Sequence, residues 1–135
     1  RMLLNDGRLI SNLLVQSIHG DNLSIYGNGY QTRSFCFIDD LIDGLILFMD
    51  SKSLGPMNLG NPEELSILEI ANLIRSTSIE KVNLDFLNEL EDDPIRRKPS
   101  ISLAYKELGW KPKIMFNEGL KITRAYFQKK LNFEK

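Results

Sequence analysis

The sequence predicts an α/β fold in which short strands alternate with about five helices within one unit. Three observations carry this expectation. Apolar residues recur at helical spacing in several separate stretches, brief β-branched or aromatic runs fall between them, and clusters of glycine, proline and asparagine punctuate the joins. A chain of 135 residues, 42% hydrophobic, carries enough apolar material for one ordinary core.

Taken in order, Leu9, Ile10, Leu13, Leu14 and Ile18 predict a helix from about Arg8 to His19, after a turn at Asn5-Asp6-Gly7 and before Gly20. Leu23 to Tyr26 reads as a strand, Gly27-Asn28-Gly29 as a hairpin loop, and Ser34 to Ile38 as the strand beyond it. Asp39 or Asp40 is expected to cap a helix carrying Leu41, Ile42, Leu45, Ile46, Phe48 and Met49, and Asp43 to add a first-turn charge. That apolar surface is broad enough to imply burial on more than one side. Residues 55–62 read as a brief strand, and Ser66-Ile67-Leu68-Glu69 is a capping-box pattern opening a helix to about Ser76. Val82 to Leu87 is a strand candidate. The acidic run Glu89 to Asp93, Pro94 and the basic Arg96-Arg97-Lys98-Pro99 form an irregular segment facing solvent or a ligand. Ser100 is expected to cap a helix ending at Leu108 before Gly109, and Asn117 to cap the last, from Glu118 to about Leu131.

Composition narrows the function classes. Lys and Arg number 17 against 18 Asp and Glu, so no charge excess argues for nucleic acid or an anionic membrane. One cysteine, Cys36, and one histidine, His19, exclude an internal disulfide and speak against a zinc site of Cys and His ligands. The longest apolar run, Leu45 to Met49, falls far short of the roughly 20 residues a membrane helix needs, and the default setting is the cytoplasm. The chain opens at Arg1 instead of an initiator methionine, which suggests a piece of a longer protein or a trimmed one.

Several constellations carry chemistry. Gly27-Asn28-Gly29-Tyr30-Gln31-Thr32 starts as a dinucleotide fingerprint, but it lacks the third glycine and feeds an aromatic strand where a cofactor loop needs a helix. A glycine loop of this kind can still line a ligand. Tyr126 and Lys130 have the Tyr-x-x-x-Lys spacing of a catalytic pair, yet lie in a basic last helix where a core-facing tyrosine and a solvated helix end explain them. Arg33 follows the glycine loop and precedes the expected buried strand, a rigid support from which a planar guanidinium could reach a phosphate on two bonds. Arg96 and Arg97 fit either surface ion pairing with the acidic run or anion capture, and spacing does not decide between them. Asp39, Asp40 and Asp43 read as helix caps and helix charges, His19 as a helix-end cation, and Cys36 as a small core residue on a strand. From the residues alone, the reading ends at an α/β module with a glycine loop and arginines suited to phosphate.

A resemblance extends that reading. Asn5-Asp6-Gly7-Arg8, Ile25 to Phe35, Asp40-Leu41-Ile42-Asp43-Gly44-Leu45, Asn58 to Glu64, Asp92-Asp93-Pro94 with Arg96-Arg97-Lys98-Pro99, and Leu108-Gly109-Trp110-Lys111-Pro112 occur in an order that is specific as a set. In them the whole chain resembles the C-terminal portion of the extended short-chain dehydrogenases that modify nucleotide sugars, and within these the UDP-glucuronate decarboxylase family. The resemblance implies that residues 1–135 are the smaller lobe, which grips a UDP-sugar, of a homodimeric enzyme whose N-terminal Rossmann lobe holds NAD and lies outside this chain. The implied reaction oxidises the sugar at C4, loses carbon dioxide and re-reduces the C4 ketone to give UDP-xylose. It implies that Ser24, Ile25, Tyr26, Gly27, Gly29, Tyr30 and Gln31 wrap the nucleotide, that Asn12 lies near the pyrophosphate and that Arg33 binds phosphate. Arg97 would sit near the sugar carboxylate and aid protonation after decarboxylation, with Arg96 a second phosphate partner or a bystander. No residue of this chain is implied to bind NAD or a metal, so the chain alone is expected to be inactive. The Leu41 to Met49 helix is then expected to expose apolar surface and promote self-association. Other UDP- or dTDP-sugar epimerases and 4,6-dehydratases, and a non-catalytic nucleotide-sugar-binding module, are the alternatives.

Overall fold

The computed structural model describes Leu3, residues 7–89 and residues 94–133. The Asn5-Asp6 part of the predicted turn, most of the acidic run before Pro94, and the motif residues Asp92 and Asp93 lie outside them. The elements run α1 (Leu9–His19), β1 (Leu23–Tyr26), β2 (Thr32–Arg33), α2 (Ile38–Met49), β3 (Leu65–Ser66), α3 (Ile67–Ser76), β4 (Leu84–Leu87), α4 (Ser102–Leu108) and α5 (Phe116–Phe133). Five helices and short strands are what the sequence predicts.

The helix ends follow local chemistry. Gly20 closes α1 and Gly109 closes α4 in the left-handed region, at φ 81° and 63°, where a side chain would strain the backbone. Ser66 and Glu69 form the predicted capping box, the Glu69 amide donating to the Ser66 hydroxyl at 3.2 Å and the Ser66 amide to the Glu69 carboxylate at 2.8 Å. Three predicted caps fail. Phe37, not Asp39 or Asp40, stands at the N-cap of α2, Ile101 takes that place in α4 instead of Ser100, and Asn117 lies inside α5. Asp40 turns inward: it is 3% exposed, and its carboxylate accepts from the Ile114 amide at 2.9 Å while its carbonyl accepts from the Trp110 indole at 3.0 Å. A short polar side chain caps whichever amide lies nearest in space, and here that amide is distant in sequence.

Among the described residues the strands form two separate pairs. β1 runs parallel to β4, Leu23 opposite Leu84 and Tyr26 opposite Leu87, while β2 runs antiparallel to β3, Thr32 opposite Ser66 and Arg33 opposite Leu65. The predicted hairpin is therefore absent: Gly27 and Gly29, at φ 68° and 75°, turn the chain from one sheet to the other. Residues 34–37 join no ladder, so Cys36 lies on no strand, and residues 55–62 form no strand among the described residues. β-prone side chains make a strand only where a partner backbone is at hand.

Leu13, Leu14, Leu23, Ile25, Ile70, Ala71, Ile74 and Phe127 make the centre of the core, gathering α1, β1, α3 and α5. The alternation of β1 decides which residues join it: Leu23 and Ile25 face the core, and Ser24 and Tyr26 face the other way. Arg124 ties α5 to this layer through the hydroxyls of Ser17 at 2.9 Å and Thr77 at 3.1 Å. A smaller cluster joins α2 to α4 around Ala104 and Trp110, and Gly44 is essential to it because a Cβ there would lie 2.8 Å from the indole nitrogen. Among the described residues no helix is long and apolar enough to cross a membrane.

Candidate functional site

Between α1, β1 and β2 lies a cleft of about 420 Å³, within the usual range for small-molecule sites. Helical spacing on α1 gives it Leu9, Asn12, Leu13 and Gln16, the outward face of β1 gives Ser24 and Tyr26, and the turn into β2 gives Gln31 and Arg33. Arg97 enters from the irregular segment after Pro94, and no described residue lining the cleft is a carboxylate. Two cations with several amides and hydroxyls make an environment suited to an anion with a polar body.

Several of these polar groups are held. The Gln16 amide donates to the Ser24 hydroxyl at 2.9 Å and accepts from the Ser24 backbone at 3.1 Å, and Gln31 donates to the Tyr26 carbonyl at 2.9 Å. Arg33 donates from one terminal nitrogen to the carbonyls of Thr32 and Pro94, both at 2.7 Å, which fixes its head at the cleft wall. The Ser34 hydroxyl donates to the Arg97 carbonyl at 3.1 Å, and Thr32 donates its amide to Ile95 at 2.9 Å. The segment carrying Arg97 is thus laced to β2 along its length.

Below it sits Glu64, whose side chain is 14% exposed. Its carboxylate accepts from Arg96 on two bonds, 2.8 and 2.6 Å, and from the Thr32 hydroxyl at 2.9 Å, with the Lys98 ammonium 3.5 Å away. The Arg96 guanidinium, helped by Thr32 and opposed by burial, holds the Glu64 carboxyl down to about 2. The lowered value means this contact is complete above the ordinary carboxylate range and is lost as pH falls towards 2.

Of the residues the resemblance implicates, the structure brings Asn12, Ser24, Tyr26, Gln31, Arg33 and Arg97 together at the cleft. Ile25 is fully buried in the core, Gly27 and Gly29 shape the turn without lining the cleft, Tyr30 is 71% exposed, and Arg96 is engaged by Glu64. Gln16 and Glu64 were missed. Gln16 was legible, because it stands four residues after Asn12 on one helix face, whereas Glu64 meets its partners only through the fold.

A second concavity of about 470 Å³ shares Phe35 and is mainly apolar, lined by Phe37, Ile38, Leu41, Met115, Phe116 and Ile122 among others. Cys36 lies in it, and burial, with the nearby Asp40, pushes its thiol up, away from an activated nucleophile. The glycine loop is no dinucleotide loop: it passes into a strand, not into a helix N-terminus that would hold a pyrophosphate. Among the described residues no group of three His, Cys, Asp or Glu could hold a metal.

Comparison with known proteins identifies the family. Residues 5–123 match the family model described as GDP-mannose 4,6 dehydratase. The chain is 46% identical over 134 residues to UDP-glucuronic acid decarboxylase 1 of Danio rerio, covering 99% of this chain and 32% of that protein. It is 41% identical over 131 residues to UDP-glucuronic acid decarboxylase 2 of Arabidopsis thaliana, covering 97% and 29%. The chain therefore spans about a third of the length of these curated relatives. Among solved structures, UDP-glucuronic acid 4-epimerase of Bacillus cereus in complex with UDP-glucuronic acid and NAD superposes with a TM-score of 0.85 at 28% identity, covering 91% of this chain and 40% of that one. An epimerase of Methanothermobacter thermautotrophicus superposes at 0.89 with 26% identity, covering 93% and 38%. By its residues 5–123, the chain belongs to the GDP-mannose 4,6 dehydratase family of the extended short-chain dehydrogenases.

Proposed function

We propose that residues 1–135 form the nucleotide-sugar lobe of an NAD-dependent UDP-glucuronate decarboxylase that makes UDP-xylose by C4 oxidation, decarboxylation and C4 re-reduction. The observation that carries this reading is the convergence of Arg33 and Arg97 in a cleft without a described carboxylate. The names of the relatives at 46% and 41% identity, and the UDP-glucuronic acid bound in a neighbour at 28%, supply the substrate class.

In this reading Arg33 binds phosphate, Asn12 lies beside the pyrophosphate, and the Ser24 to Arg33 segment wraps the nucleotide with Tyr26 and Gln31. Arg97 takes the sugar carboxylate, where its charge also favours protonation of the sugar carbon after carbon dioxide leaves. Ile25, Gly27, Gly29 and Tyr30 act by shaping that segment, and Arg96 acts through Glu64. NAD and the hydride steps belong to a Rossmann lobe of the parent enzyme, a cytoplasmic homodimer. The 135 residues alone bind UDP-sugar and do not turn it over.

Calorimetric titration tests this. The chain should bind UDP and, more tightly, UDP-glucuronate. Arg33→Ala should weaken UDP by about ten- to a hundredfold, as loss of a charged phosphate contact does. Decarboxylation of UDP-glucuronate by the purified chain with added NAD would overturn the claim of inactivity, and absence of UDP binding would overturn the site. The epimerase structures favour a second reading, a UDP-glucuronate 4-epimerase lobe, which predicts the same binding. Joined to a Rossmann lobe, release of carbon dioxide separates the two.

A further inference from the structure

Arg97 is the residue on which selectivity for a sugar acid would rest, and it lies on a segment without regular secondary structure whose backbone is tied to residues 32–34 at Pro94, Ile95 and Arg97 and by the bridge of Arg96 opposite Thr32, contacts that leave the direction of its side chains open. Something must aim it. In an extended segment successive side chains face opposite ways. Arg96 and Lys98 both reach the Glu64 carboxylate, and Arg97 between them lines the cleft.

We propose that Glu64 is a positioning residue: by clasping Arg96 and Lys98 beside Thr32 it fixes the face of the 94–98 segment, so that Arg97 points into the cleft. This rests on the reading of the cleft as a nucleotide-sugar site. An isolated surface ion pair would not do the job, since such pairs hold weakly. Glu64 differs in three respects. It is mostly covered, it takes a two-bond contact from a planar guanidinium, and it also accepts from the Thr32 hydroxyl. Its own backbone stands on a rigid base. Asn61 accepts from the Glu63 amide at 2.9 Å before it, and β3, paired to β2, leads directly into the capping box of α3 after it. The clasp therefore couples the segment, whose backbone is already hydrogen-bonded to residues 32–34, through its side chains to β3 and α3 as well.

The test is calorimetry on the full chain with UDP and with UDP-glucuronate. Glu64→Gln should weaken UDP-glucuronate about tenfold while changing UDP by less than about threefold, because a misaimed cation loses the carboxylate and leaves the nucleotide contacts in place. Arg97→Ala should erase the same preference, and the double variant should lose no more than Arg97→Ala alone, the signature of one residue acting through another. Trypsin should cut between Arg96 and Arg97 faster in Glu64→Gln than in the wild type. Should Glu64→Gln fail to fold, Arg96→Gln, at the exposed end of the clasp, must reproduce the loss of preference. A folded Glu64→Gln that keeps the preference, or losses that add in the double variant, overturns the positioning role while UDP binding by the wild type keeps the site reading intact. No UDP binding by the wild type, or no preference for UDP-glucuronate, overturns the role as well, the former together with the site reading.

Discussion

The layer of α1, β1 and α3 and the helix α2 are both rich in large apolar side chains, yet they dispose of them in opposite ways. In the first, Leu13, Leu14, Leu23, Ile25, Ile70 and Ile74 are at most 1% exposed. In the second the only buried residues are Asp40 and Gly44, while Ile38, Ile42, Leu45, Ile46 and Leu47 stay between 44% and 53% exposed and Met49 reaches 80%. The apolar concavity of Ile38, Leu41, Met115 and Ile122 continues that face. The contrast shows what an apolar pattern encodes: it marks which side chains favour burial, and it does not name the surface that covers them.

The sharpest way to break the comparison is to remove one side chain from each region. Leu14→Ala should lower unfolding free energy by about 2–5 kcal/mol, the cost of a cavity in a closed core. Ile46→Ala should stay within about 0.5 kcal/mol of the wild type, as expected at an exposed site. Denaturant titration reads both. A large loss at Ile46 would mean that the α2 face is covered in solution.

A smaller effect comes from the point where α2 does pack. Gly44→Ala places a Cβ against the Trp110 indole and the Leu59 side chain, and should cost about 1–3 kcal/mol as overpacking does. Trp110 is the only tryptophan, so its emission should shift towards longer wavelength as the indole leaves its site beside Asp40. Unchanged emission and stability would show that α2 is loosely held even there.

The same contrast governs what was legible in the sequence. Helices α1 and α3, the capping box at Ser66 and the glycine stops at Gly20 and Gly109 depend on residues within a few positions of each other, and each was readable. The strand expected at residues 34–38 was not, because a strand needs a partner backbone and these residues lead straight into α2. Asp40 looked like a cap and serves one, but the amide it satisfies is Ile114, brought near only by the tertiary fold. At the site, the residue types pointed to phosphate at Arg33, and the turn from β1 to β2 puts it in the cleft. Spacing left Arg96 and Arg97 equivalent, and the fold tells them apart: Glu64 takes Arg96, while Arg97 lines the cleft.

The smallest effect on folding, and the most direct test of the exposed face, is to charge it. Ile42 and Ile46 stand one turn apart on α2, 46% and 53% exposed. The pair Ile42→Lys and Ile46→Lys should leave unfolding free energy within about 0.5 kcal/mol per site, since neither side chain is part of the core. Sedimentation should nonetheless separate the proteins: the wild type should associate as concentration rises, because contiguous apolar surface is removed from water when two such faces meet, and the lysine pair should remain monomeric. A wild type that stays monomeric would show that α2 tolerates its exposure, and the face would then differ from the core in burial alone and not in its tendency to find a partner.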